Sequence, residues 1–159
     1  MKLYFLRHGL AGDPGKWEGN DFDRPLTEEG KEKMAREGAV MARLKLDPEA
    51  ILTSPLVRAR QTAEIVATEL NLSSRLTEDV RLGPGFGLGE LAAILDSHSN
   101  SRALMLVGHE PSMSDVVGEL TGGTRVVIKK GGLARVDLSH VVGLEGELVW
   151  LIPPAVLGI

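Results

Sequence analysis

Five consecutive apolar residues, Ala103-Leu104-Met105-Leu106-Val107, are bounded on one side by a polar approach and on the other by Gly108-His109-Glu110-Pro111. A strand with one wet face would alternate apolar and polar residues. An unbroken apolar run instead wants cover on both faces, which is how strands inside a parallel sheet are buried. The chain supplies the cover. Short apolar runs alternate with longer amphipathic segments, the pattern of β-α-β units around a largely parallel sheet.

The spacing predicts strands at residues 2–7, 50–53 and 103–107, then shorter ones at 126–128, 134–138 and 147–152 between Gly-rich turns. The last of these is the candidate antiparallel edge of a mixed sheet. Helices are expected over residues 28–44, from the Arg-rich segment after Ser54-Pro55 to about Leu70, and over 88–95 and 112–120. Thr27 is the N-cap of the first, with Glu28 and Glu29 in the turn where the helix dipole favours anions. Met34, Gly38, Met41 and Ala42 form its apolar stripe and read as core. At 159 residues, 43% of them hydrophobic, the chain can bury one substantial core. With no repeat or long linker, residues 1–159 read as one domain.

Composition excludes several classes of function. There is no cysteine, so disulfides, thiolate metal sites and thiol catalysis are unavailable. Eighteen Lys and Arg against 22 Asp and Glu leave a net charge of -4, which argues against nucleic acid as a partner. No apolar stretch is long enough to cross a bilayer, and the amino-terminal run lacks a signal-peptide pattern. A cytoplasmic protein with no membrane partner is expected.

Two of the apolar runs end on a histidine. Lys2 to Leu6 leads into Arg7-His8-Gly9, and Ala103 to Val107 leads into Gly108-His109. In open α/β sheets ligands bind at the carboxyl ends of the strands, so both imidazoles are set where a site is expected. Arg7 adjoins His8, and Arg58 and Arg60 open the helix after Ser54-Pro55. Such a gathering of cations and donors suits an anion. Other signatures fail. Gly15-Lys16 lacks the first glycine and the Ser/Thr of a P-loop, and His109-Glu110 has Met113 where a zincin needs its second histidine. Gly83, Gly85, Gly87 and Gly89 miss the dinucleotide spacing and read as a mobile loop. His98 and His140 lie in polar surroundings and carry no role.

Three segments together resemble the histidine phosphatase superfamily. These are Leu6-Arg7-His8-Gly9, the stretch from Ser54-Pro55-Leu56-Val57-Arg58 to Ala63, and Val107-Gly108-His109-Glu110-Pro111. The short length, Arg24-Pro25-Leu26-Thr27-Glu28-Glu29-Gly30 and Gly131-Gly132-Leu133-Ala134 resemble its small SixA-type phosphohistidine phosphatases. The resemblance implies a three-layer α/β/α sandwich of the histidine-phosphatase, phosphoglycerate-mutase-like fold. It implies His8 as the nucleophile that becomes phosphohistidine, its other nitrogen held by a backbone carbonyl. Arg7, Arg58 and His109 would hold the phosphoryl oxygens, with Gly9 as a further phosphate contact. No metal ion or cofactor is implied.

Departures from the larger phosphoglycerate-mutase-like branch bear on the substrate. Leu10, Ala11 and Gly12 replace a Ser- and Asn-bearing continuation, and the segment Leu82 to Phe86 has no carboxylate to serve as acid. Glu78, Asp79, Glu90 and Glu110 are the nearby carboxylates, with Glu78, Asp79 and Glu110 the candidate general acids. A missing acid handicaps an alkyl phosphate more than a labile P–N bond. Phosphohistidine on a partner protein, such as a phosphotransfer domain or phosphocarrier, is therefore the favoured substrate. A small phosphomonoester cleaved by the same His8 and a noncatalytic phosphoprotein-binding module are the alternatives.

Overall fold

The computed structural model describes residues 1–157. Six strands form one sheet: β1 (Lys2–Arg7), β2 (Ala50–Thr53), β3 (Leu76–Glu78), β4 (Ala103–Gly108), β5 (Leu133–His140) and β6 (Glu145–Ile152). Their spatial order is β3-β2-β4-β1-β5-β6. The first four neighbours in that order are mutually parallel, while β5 and β6 join as an antiparallel pair at the β1 edge. The helices are α1 (Glu28–Arg43), α2 (Val57–Glu69), α3 (Leu88–Ser97), α4 (Ser112–Leu120) and a final short turn, α5 (Pro154–Leu157).

Alternation along the strands builds two cores, one on each side of the sheet. Leu3 and Phe5 of β1 and Leu104 and Leu106 of β4 meet Leu91 and Ile94 of α3 and Val116 and Val117 of α4. On the other face Tyr4, Leu6, Met105 and Val107 meet Met34 and Met41 of α1 and Ala59, Ala63 and Val66 of α2. This is the three-layer α/β/α sandwich, with the continuous apolar strand β4 buried along its whole length. Thr27 caps α1 as its sequence predicts, its hydroxyl accepting from the Gly30 N–H at 2.9 Å. Among the described residues no helix is long and apolar enough to cross a membrane.

Two local expectations change. Val126 to Ile128 is not a strand. The Ile128 N–H donates to the Ser114 hydroxyl at 3.1 Å, and its carbonyl accepts from the Arg7 guanidinium at 3.0 Å. Side chains take the backbone groups that a sheet ladder would need. Conversely, Leu76 to Glu78, which has no strand pattern of its own, pairs in parallel with β2. Three residues with one partly buried apolar side chain are too short a pattern to read.

Glu37 sits on the buried side of α1, 3% exposed, with Oε2 unpartnered among the described residues. It lies under Gly131, whose φ of 79° and lack of a Cβ are both required, since a Cβ there would stand 2.6 Å from Oε2. Burial pushes the Glu37 carboxyl up to about 8, against weaker opposing pulls from Lys33 and Arg36. A carboxyl raised on folding contributes stability that is complete below its unfolded value, near 4.5, and lost as pH rises through about 8. Glu37→Gln is therefore expected to raise the melting temperature at pH 9 by about 5 °C and to change it much less at pH 5. Thermal melts of both proteins across that range test this, and a gap that does not widen with pH rejects it.

Candidate active site

The parallel register of β1 and β4 sets the two histidines side by side. Arg7 is paired with Gly108, and the His8 N–H donates to the Gly108 carbonyl at 3.0 Å. The next residue on each strand is a histidine, and the ring centroids of His8 and His109 are 5.3 Å apart. His8 is 7% exposed. Its Nδ1 lies 2.7 Å from the Gly9 carbonyl oxygen. A carbonyl can only accept, so Nδ1 carries the proton and Nε2 is left with the lone pair.

This tautomer is braced from behind. The Gly9 N–H donates to the Thr62 hydroxyl at 3.0 Å, which itself donates to the Arg58 carbonyl of α2 at 2.7 Å. Gly9 must be glycine, because a Cβ would stand 2.6 Å from Cγ of Met34. On the other side the Gly131 N–H reaches the carbonyls of Arg7 and His8, each at 3.1 Å.

Charge and burial keep both rings neutral. Burial is the largest cause lowering His8 to about 3; the Gly9 carbonyl opposes it, and His109, Arg58 and Arg7 add to it. His109 is lowered to about 4, first by burial and then by Arg58, with Asp21 opposing. Near pH 7 the cluster thus presents a neutral imidazole with a free lone pair among guanidinium cations.

Each remaining member is anchored at one end and has a buried polar atom without a partner. Arg7 donates through Nη1 to Ile128, and Arg58 donates through Nη1 to the Asp21 carbonyl at 2.8 Å and through Nη2 to its carboxylate at 3.0 Å. Nε2 of His109 meets the Ser54 hydroxyl at 2.7 Å. Among the described residues four buried side-chain polar atoms lack a hydrogen bond, and three belong here: Arg7 Nε, Arg58 Nε and His109 Nδ1. Buried donors are nearly always satisfied, so such a concentration makes this the candidate ligand site. The Ser54 hydroxyl can donate to His109 Nε2, which leaves the ring proton on Nδ1.

The other candidates have partners outside the cluster. Arg60 is exposed and lies 3.8 Å from both Glu64 and Glu78. Asp79 is clasped by Arg81, and both carboxylate oxygens of Glu110 accept from Ser114. Among the described residues no three His, Cys, Asp or Glu side chains gather so as to hold a metal ion.

Sequence reasoning missed Asp21 and Arg24. Asn20 to Arg24 forms a tight turn in which the Arg24 guanidinium, buried with its residue 7% exposed, donates to Asp21 at 2.8 Å and to the Gly12 carbonyl at 2.6 Å. Asp21 therefore ties two buried arginines together. The only hint in the sequence was an arginine standing directly before Pro25-Leu26-Thr27, where the helix cap needs no cation.

Similarity to known proteins agrees with this geometry. A family model described as the histidine phosphatase superfamily (branch 1) matches residues 3–82. An uncharacterised protein of Picosynechococcus is 37% identical over 139 residues, covering 84% of this chain and 82% of that protein. Phosphohistidine phosphatase SixA of Escherichia coli K12 is 29% identical over 157 residues, 97% of this chain and 94% of its own. A solved structure of the protein histidine phosphatase SixA complexed with tungstate superposes with a TM-score of 0.86 at 28% identity, covering 98% of each chain. By fold, matched segments and clustered histidines, the chain belongs to branch 1 of the histidine phosphatase superfamily, as a phosphatase of the SixA type.

Proposed function

We propose that the protein hydrolyses phosphohistidine on a partner protein, without a metal ion, through a phosphoryl group carried on His8. The observation that carries this reading is the trio of unpartnered buried atoms, Arg7 Nε, Arg58 Nε and His109 Nδ1, around the neutral ring of His8. Nε2 of His8 attacks phosphorus while the substrate's P–N bond breaks, and water then attacks the phosphohistidine to release phosphate. Phosphoryl transfer asks mainly for in-line positioning and neutralisation of the equatorial oxygens, which two guanidiniums and an N–H supply. The Gly9 carbonyl holds His8 in the attacking tautomer, and burial keeps it unprotonated.

Protein phosphohistidine is favoured over a small phosphomonoester because the candidate acids are otherwise engaged: Glu78 beside Arg60, Asp79 with Arg81 and Glu110 with Ser114. An alkoxide needs a proton to leave, whereas an imidazole can depart as a neutral ring. The likeness to SixA supports the same substrate class, and a phosphotransfer domain or phosphocarrier in the cytoplasm is the partner we infer. The experiment is phosphate release from a phosphohistidine-bearing protein in the presence of chelator, compared with a panel of sugar and nucleotide phosphates. Much higher kcat/KM on one of those metabolites rejects the substrate, and stable stoichiometric binding without release rejects catalysis.

A further inference from the structure

Asp21 stands at the boundary between solvent and the buried cations. Its side chain is 56% exposed, while those of its partners Arg58 and Arg24 are 8% and 9% exposed. Asp21 thus places a carboxylate on the solvent side of the buried Arg58 guanidinium, in hydrogen-bond contact with it. Asp79 and Glu110 are hydrogen-bonded to Arg81 and Ser114, and Glu78 lies 3.8 Å from the exposed Arg60, whereas Asp21 is hydrogen-bonded directly to a member of the cluster. Arginine donors leave further lone pairs on its two oxygens.

We propose that Asp21 acts on the leaving group, accepting a hydrogen bond from the imidazole nitrogen that does not carry phosphorus. This rests on the phosphohistidine reading above. As His8 Nε2 bonds to phosphorus, the substrate's P–N bond breaks and its electron pair goes to that nitrogen. The proton stays on the ring's other nitrogen, so a neutral imidazole departs and the step needs no delivered proton. Without that proton the ring would have to leave as imidazolate, a far poorer leaving group. A carboxylate at this spot favours the protonated ring and so selects the reactive form of the substrate. The hydrogen bond from Arg24, with Arg58 adding to it, holds the Asp21 carboxyl below its ordinary range, so it is the ionised acceptor this role needs and a poor acid for an alkoxide.

Asp21→Asn tests the assignment. The backbone carbonyl at position 21 still holds Arg58 Nη1, and the amide oxygen can still accept from either arginine. The variant is compared with the wild type on a phosphohistidine protein and on p-nitrophenyl phosphate, whose nitrophenolate leaves without a proton. The loss of kcat/KM on phosphohistidine is expected to exceed that on the aryl phosphate by at least about 30-fold, within the range of acid–base contributions. Asp21→Glu should recover part of it. Equal losses on the two substrates would make Asp21 a support for Arg58 and overturn the proposal. A wild-type protein that turns over the aryl phosphate and not phosphohistidine overturns the substrate reading itself, a result distinct from equal losses in the variant.

Discussion

His8→Ala is expected to lower turnover of both phosphohistidine protein and aryl phosphate by roughly 10^4-fold or more, the scale on which losing a covalent nucleophile is felt. The size follows from what the ring alone provides: a lone pair on Nε2, fixed by the Gly9 carbonyl at 2.7 Å and kept free of a proton by burial. Neither Arg7, Arg58 nor His109 can replace it, since guanidiniums have no lone pair to offer and Nε2 of His109 is engaged by Ser54. Rapid quenching with labelled substrate should trap an acid-labile, alkali-stable phosphoryl group on the wild type and none on the variant. His8→Asn, closer in volume and polarity, guards against a packing defect, and circular dichroism verifies the fold of both. Retention of a tenth of the wild-type rate by either folded variant sinks the nucleophile assignment.

The parts of this site that could be read from the sequence were those governed by local pattern. His8 and His109 each follow an apolar run, so their place at a strand end is fixed by periodicity. Arg58 opens a helix after a Ser-Pro break, a signal just as local. What periodicity cannot supply is pairing. That β1 and β4 are neighbours, and in a register bringing two histidines within 5.3 Å, depends on chain crossing. Family likeness carried that information; spacing did not.

Asp21 and Glu37 were hidden for a second reason. An Asp in a polar turn and a Glu in a helix rich in charge are ordinary surface residues until tertiary contacts give them a task. The Asp21 carboxylate meets an arginine 37 positions away, and Glu37 meets the turn that receives the carbonyls of Arg7 and His8. Val126 to Ile128 went astray in the opposite direction. Its apolar pattern suits a strand, yet Arg7 and Ser114 claim its backbone. At Asp21 and at Ile128 the departure from local expectation involves the guanidiniums of Arg58 and Arg7 themselves.

Replacing Arg58 tests that dependence at its most connected point, and Arg58→Ala is expected to lower kcat by about 10^2- to 10^3-fold, the cost of deleting a preorganised donor from a developing anion. The guanidinium does two jobs at once. Its Nη atoms hold Asp21 and the turn around it, while the unpartnered Nε is the donor we propose for a phosphoryl oxygen. Alanine removes both and leaves Arg24 alone to hold the Asp21 carboxylate. Arg58→Lys should recover little, because a single ammonium cannot span two oxygens of Asp21 and still reach phosphate. Steady-state kinetics with inorganic phosphate as competitor separate the two jobs. Loss of the donor weakens phosphate inhibition and lowers kcat on every substrate, whereas loss of the turn alone would fall on phosphohistidine. A lysine variant with kcat within threefold of the wild type would show that charge suffices and that the forked geometry of Arg58 contributes nothing.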